Sequence, residues 1–243
     1  MAIHHGTRIV RDGLAFNMDF ADRLCYDRNS SICRDFNSPD IAGEIVGSPT
    51  FVVDSCGGYF HFDGLTKYIK IPNNNASLNS QNLSFEVWLK LDYLSSYSPC
   101  PAGGDIIYIF HKEGQYSIHQ WGGNIRCAQG RTITSTALNI QPVLMIPAMN
   151  TSSWYQVVYT VDTNTSLFVN CEYKGSSATN PGTNGPIVSD TQGISIGCAG
   201  GYSGSPAGFY YGSIAISRVY NRVLSNVEIA QNYKAVKTRF GLS

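Results

Sequence analysis

FYYGSIAISRVYNRVLSNVEIAQNYKAVKTRFGL, residues 209–242, decides the fold, because it sets a strand, a turn and an amphipathic helix end to end. Apolar and small residues dominate positions 212–220, as in a strand buried on at least one face, and Asn221 with Arg222 breaks the run. Ser225 then stands as an N-cap with Glu228 three residues later, the spacing of a capping box. Val227, Ala230, Tyr233 and Val236 or Lys237 follow at helical spacing, and Gly241 closes the segment.

The rest of the chain reads as strands and turns. LAFNMDF (14–20) sets Leu14, Phe16, Met18 and Phe20 against Ala15, Asn17 and Asp19, the period of two of a half-buried strand. LSFEVWLKL (83–91) turns Leu83, Phe85, Val87, Leu89 and Leu91 to one face and Ser84, Glu86, Trp88 and Lys90 to the other. IIYIFHK (106–112) and QYSIHQW (115–121) form a hairpin across Glu113 and Gly114. Strands follow at 154–161 and 167–173, and 132–149 reads as another strand pair interrupted by Pro142 and Pro147. Residues 22–50 are rich in turns, with loops at 29–31 and 37–40, and 96–105 and 176–186 are further loops. Residues 1–12 read as an N-terminal arm lying outside the core, and 13–243 as one domain.

Composition agrees with an all-β chain. The 243 residues are 43% hydrophobic, enough for a full core, and 24 Gly with only 14% charged residues suit a protein of many tight turns. Seventeen basic residues balance seventeen acidic ones, so no electrostatic footprint for duplex DNA or an anionic membrane exists, and neither partner is expected. No stretch reaches the roughly 20 apolar residues of a membrane helix, and the start lacks the apolar core of a signal peptide, so the mature chain is expected to begin near Met1. The five Asn-x-Ser sequons at Asn29, Asn75, Asn82, Asn150 and Asn164 are then read as loop composition. Seven cysteines leave an odd one in any pairing, and the nearest two, Cys25 and Cys33, lie too far apart for a zinc knuckle; buried apolar thiols are the favoured reading over a disulfide framework.

IHHGTRIVRDGLAFNMDFADRLCY (3–26), FHFDGLTKYIKIP (60–72), LSFEVWLKL, WYQVVYTVDTNTSLFVNCEYKG (154–175), ISIGCAGG (194–201) and the closing strand-turn-helix occur in this order along the chain. In them the chain resembles the concanavalin A-like, laminin-G-like jelly rolls, in the version found in structural proteins of tailed, cyanophage-like bacteriophages. The resemblance implies two packed antiparallel sheets with a short C-terminal helix docked on them. It also implies a virion structural protein, a head decoration or a tail or fibre component, assembled in the host cytoplasm with copies of itself and other virion proteins as partners. The alternative reading is a lectin-like adhesin for a host surface glycan.

Glucanases on this fold resemble one another in closely spaced carboxylates on one strand, since retaining hydrolysis needs an acid and a nucleophile about 5 Å apart. The five glutamates here, Glu44, Glu86, Glu113, Glu172 and Glu228, place no two on one strand at such spacing, and no Gly-x-Ser-x-Gly elbow occurs; no enzyme is expected. Sugar binding has better candidates. Glu86 beside Trp88 offers a carboxylate next to an indole on the second face of one strand, with Trp121 and Tyr159 as additions, but the favoured reading of Trp88 is a packing residue between sheet and loops. Arg8 and Arg11 are the arm's candidate anchors for carboxylates of a neighbouring chain. The wider family suggests calcium, for which Asp63, Asp92, Asp105, Asp162 and Asp190 are the loop-edge acids; many members carry an acidic pair in the closing strand where this chain has Ile214, Ala215 and Ile216, so no cofactor or metal is expected.

Overall fold

A computed structural model describes residues 7–38, 40–72, 76–92, 106–112, 115–121, 124–132, 138–141, 149–151, 153–178, 192–201 and 204–243. The first half of the chain holds β1 (Leu14–Asp19), β2 (Ile32–Arg34), β3 (Ala42–Val46), β4 (Thr50–Asp54), β5 (Gly57–Asp63), β6 (Tyr68–Ile71), β7 (Leu83–Leu91), β8 (Ile106–Lys112) and β9 (Tyr116–Trp121). The second half holds β10 (Asn124–Thr132), β11 (Leu138–Gln141), β12 (Tyr155–Val161), β13 (Asn164–Val169), β14 (Glu172–Ala178), β15 (Ile194–Ile196) and β16 (Tyr211–Tyr220). Helix α1 (Asn226–Val236) and a 3-10 turn (Lys237–Phe240) follow.

The strands form two antiparallel sheets. The first runs β14-β13-β12-β7-β16-β5-β4, with β1 also on β16, and the second runs β11-β10-β9-β8-β15-β6-β3-β2. This is the expected two-sheet jelly roll. β16, the closing strand, is its axis: one edge pairs with β7, while the other serves β5 over residues 211–214 and β1 over 216–220. Between the sheets lies one core that includes Phe16, Met18, Phe60, Phe62, Ile69, Phe85, Phe110, Ile118, Val157, Ile196 and Ile214.

The alternation expected for β7 holds, with Leu83, Phe85, Val87, Leu89 and Leu91 all in that core. Two bulges alter it elsewhere. The register slips between Ile214 and Ile216, so Ile214 faces the core while Ala215 and Ile216 both join the layer outside the first sheet. A second slip between Leu14 and Phe16 turns Leu14 to that outer layer and puts Ala15 in the core, the reverse of the simple alternation. The segment expected to be turns at 22–50 also contains β2 and β3, which are too short to print a periodic signature, and β14 extends to Ala178, into the expected loop at 176–186. The remainder of that loop, the loop at 96–105, the turn at Glu113 and Gly114, and Pro142 and Pro147 lie outside the described residues.

Helix α1 makes a third layer on the first sheet. Its capping box forms as expected: Glu228 N donates to Ser225 Oγ at 3.3 Å, and Ser225 N donates to Glu228 Oε2 at 2.8 Å. Arg222 grips the same carboxylate with both terminal guanidinium nitrogens, Nη1 and Nη2, at 3.0 and 2.6 Å, which holds Glu228 down at about 2. Gly241 ends the 3-10 turn at φ 70°, in the left-handed region a glycine adopts without penalty. The buried stripe is Ile229, Asn232 and Val236, whereas Val227 is 76% exposed. The expected stripe through Val227 and Ala230 is therefore rotated, because a polar residue, Asn232, occupies the centre of the contact.

Candidate functional site

The outward face of β7, read as a sugar platform, lies under α1. Trp88 is fully buried, stacked between the rings of Tyr233 at 5.9 Å and Phe240 at 4.6 Å. Glu86 is likewise fully buried and saturated. Its Oε1 accepts from Trp88 Nε1 at 2.9 Å, Gln156 Nε2 at 2.9 Å and Arg218 Nη1 at 3.1 Å, and Oε2 accepts from Asn232 Nδ2 at 2.9 Å. A buried carboxylate is tolerable when its lone pairs are met in this way. Glu86 and Trp88 consequently have no surface left for a glycan, and Tyr159, stacked on Phe85 at 5.9 Å in the core, has none either. Residue type and spacing cannot separate this packing role from a binding platform; only the position of the helix does.

The described end of the arm is also part of this layer rather than outside it. Val10 is buried; its N–H donates to Asn232 Oδ1 at 2.8 Å and its carbonyl accepts from Tyr220 Oη at 3.3 Å. The Arg8 carbonyl accepts from Gln231 Nε2 at 2.8 Å. The side chain of Arg8 stays exposed, and the Arg11 guanidinium lies 5.4 Å from the centre of the Phe36 ring. Asp12 pairs with Arg222 at 2.8 Å.

Among the loop acids, Asp63 Oδ1 accepts from the N–H of Leu65 and Thr66, Asp162 Oδ1 from the N–H of Asn164, and Asp92 pairs with His61 at 2.7 Å. These are turn and strand-end roles, and Asp105 and Asp190 lie outside the described residues. Each described glutamate besides Glu86 has a cationic partner: Glu44 has Lys70, Glu172 has Lys174 and Glu228 has Arg222. Cys25, Cys33, Cys127 and Cys198 are buried free thiols, as the favoured reading has it, while the free thiols Cys56 and Cys171 are half-buried.

The second sheet presents a different face. Register sets Tyr108 opposite His119 and His119 opposite Arg126, with Trp121 two residues along β9 on the same side. A bulge between Tyr108 and Phe110 buries both Ile109 and Phe110 and brings His111 back beside Tyr108, ring centres 5.0 Å apart. Tyr108 also lies 5.4 Å from His119, and Ser117 Oγ and His119 Nδ1 share a hydrogen bond of 3.0 Å. Trp121 remains 41% exposed, and the Arg126 guanidinium stands 4.0 Å from its ring centre.

Burial pushes both histidines down to about 4, helped at His111 by Lys112 and at His119 by Arg126 and His111. They are neutral at pH 7, and buried His111 Nδ1 has no hydrogen-bond partner. Of the sequence candidates, Trp121 alone belongs to this strip. Ser117 and His119 were visible in the alternation of YSIHQW, whereas His111 and Arg126 join it through a bulge and a register that no spacing announces.

The chain matches a family model described as the concanavalin A-like lectin/glucanases superfamily over residues 62–230. No curated protein sequence matches it significantly. Among solved structures, the receptor-binding domain of botulinum neurotoxin C/D mosaic serotype aligns with a TM-score of 0.68 at 16% identity, covering 91% of this chain and 51% of that one. The binding domain of Paraclostridial Mosquitocidal Protein 1 aligns at 0.67 and 13% identity, covering 91% and 52%. Domain 4 of AbnA, an extracellular arabinanase from Geobacillus stearothermophilus solved with arabinotriose, aligns at 0.62 and 16% identity, covering 92% and 100%. The chain thus spans about half the length of the two toxin domains and the whole of the arabinanase domain.

Proposed function

The chain belongs to the concanavalin A-like lectin/glucanase superfamily, and from that starting point we propose that it is a non-catalytic, glycan-binding jelly roll whose binding face is the Trp121 strip of the second sheet. The observation that carries this reading is the pairing of an exposed indole with two uncharged imidazoles, buried His119 and half-buried His111, the latter with an unpartnered Nδ1. An aromatic face stacks on the apolar side of a sugar ring, and neutral donors and acceptors meet its hydroxyls without the desolvation cost of a charge. The structural neighbours support the reading: the arabinanase domain is in complex with arabinotriose, and a related botulinum DC binding domain is in complex with SialylT. The partnered state of every described glutamate supports the absence of hydrolysis.

The same domain serves as a structural component of a phage particle, in the head decoration, tail or fibre, built in the host cytoplasm and contacting virion proteins and copies of itself. The resemblance of residues 3–26 and of the closing segment to such proteins supports this part of the proposal. A host-facing jelly roll on a particle unites the structural and adhesin readings.

A glycan array on the purified chain, followed by calorimetry with the best hits, tests the binding role. Binding that falls about tenfold or more in Trp121→Ala, with the melting temperature unchanged, is the expected result. Equal binding in the variant, or no hit on a broad array, overturns it. Cryo-electron microscopy of an intact particle tests the virion role.

A further inference from the structure

The loop between β1 and β2 folds over a cavity of about 420 Å³ at the far edge of the second sheet, where four strands separate β2 from β9. The loop is internally braced: Tyr26 N donates to the Asp22 carbonyl at 2.9 Å, Arg34 N to the Cys25 carbonyl at 2.8 Å and Ile32 N to Ser30 Oγ at 3.0 Å. The cavity is therefore walled by a formed turn structure.

Asp35 is part of that wall and fully buried. Its Oδ1 accepts the N–H of Asn17 at 2.9 Å and of Asn37 at 3.0 Å, whereas Oδ2 is buried with no hydrogen-bond partner. An open buried carboxylate oxygen is costly, and native structures retain one where something else satisfies it. Burial raises this carboxyl to about 6 even against the lowering backbone N–H groups of Asn37, Asn17 and Ser38.

The other walls decide what fits. Arg23 and Arg34 bring positive charge, Asp27 joins Asp35 in bringing negative charge, and Leu24 and Ile32 bring apolar surface, Leu24 with 71% of its area in solvent. A cationic ligand would meet two guanidinium groups, and an anionic one would meet Asp27 and a carboxylate already short of donors. A neutral molecule with hydroxyl donors along one edge and an apolar face satisfies all of them, and the volume is in the range of small-ligand sites.

We propose that this cavity is a second ligand site, taking a neutral polyhydroxylated molecule of mono- or disaccharide size, with a ligand hydroxyl donating to Asp35 Oδ2 and the apolar face of the ring against Leu24 and Ile32. The site is independent of the Trp121 strip and stands or falls separately from it.

Amide chemical-shift titration of the 15N-labelled chain with methyl α-glucoside, methyl α-mannoside, methyl β-galactoside, maltose and lactose tests the site. Saturable shifts at Leu24, Ile32, Arg34 and Asp35 with at least one of these are expected, retained in Trp121→Ala and weakened about tenfold in Asp35→Asn. Ile32→Arg, a change at a partly exposed position that fills the mouth, gives the same loss and decides the matter should Asp35→Asn fail to fold. Absence of shifts at these amides with the whole panel, or shifts that survive Ile32→Arg, overturns the site. Absence of any glycan-induced shift at Trp121 in the parent chain, with the cavity shifts present, would reject the strip and leave the cavity standing.

Discussion

Arg218 on β16 and Glu86 on β7 are direct cross-strand partners, 3.1 Å from Nη1 to Oε1, with neither side chain more than 3% exposed. From this pair hydrogen bonds run to Asn17 on β1 through Arg218 Nε, to Gln156 on β12, to Asn232 on α1 and, through Asn232, to the backbone of Val10. One polar cluster thus holds four strands, the C-terminal helix and the N-terminal segment in register. Such a network specifies a single arrangement because every alternative leaves a charge uncompensated.

Removing one partner should therefore cost more than removing a surface ion pair. Arg218→Met leaves Glu86 buried and uncompensated, and a loss of about 3–5 kcal/mol is expected in urea unfolding. Lys174→Met, which breaks the exposed pair with Glu172, should leave the unfolding midpoint nearly unchanged. Equal effects from the two would contradict the central role of the cluster.

Truncation after Asn221 removes α1 and the 3-10 turn and uncovers Trp88, Trp154, Ile216 and Tyr220 together. The shortened chain should be insoluble or bind a hydrophobic dye, with Trp emission shifted to the red. A soluble fragment that melts cooperatively would show that the helix is an accessory.

Deletion of residues 1–12 should destabilise the domain, since it strips Val10 from the outer layer, leaves Asn232 Oδ1 without its donor and leaves the Tyr220 hydroxyl with Asn232 Nδ2 but no acceptor for its own proton. This reverses the sequence-based expectation of an arm that serves assembly alone. A melting temperature lowered by several degrees is expected, and Asn232→Ala should lower it in the same direction. An unchanged melting curve would return the segment to the role of a free arm.

Acidification should act through two opposed groups. His111 and His119 titrate at about 4 in the folded chain against an ordinary 6.5, so the unfolded chain takes up protons first; their contribution is complete above pH 6.5 and is lost as pH falls toward 4. Asp35 titrates at about 6 against 3.8, so its protonation favours the folded chain; that contribution is complete below pH 3.8 and is lost as pH rises through 6. Between pH 6.5 and 4, His119→Asn should flatten the fall in stability, and Asp35→Asn should steepen it. Denaturation series at several pH values check both signs, and parallel slopes for the variants and the parent would refute the assignments.

The sequence by itself determined the all-β class, the strand β7 with its core and outward faces, the hairpin of β8 and β9, and the capped C-terminal helix, because alternation, turn residues and capping chemistry act over a few neighbouring positions; the two packed sheets were implied by the family resemblance. It also exposed the candidate residues Glu86, Trp88 and Trp121. Their fates were decided by tertiary structure. Helix α1 lands on the outward face of the first sheet and turns Glu86 and Trp88 into a third packed layer, while the second sheet leaves Trp121 in solvent. The bulges at Ala215, Ala15 and Ile109 re-aim Ile216, Leu14 and His111; the first two arise from pairing with strands distant in sequence, and the third is a register shift inside the β8–β9 hairpin. Which face of a strand becomes surface depends on what packs over it, and that is a property of contacts between distant segments, such as Val10 on Asn232, 222 positions apart, rather than of any local pattern.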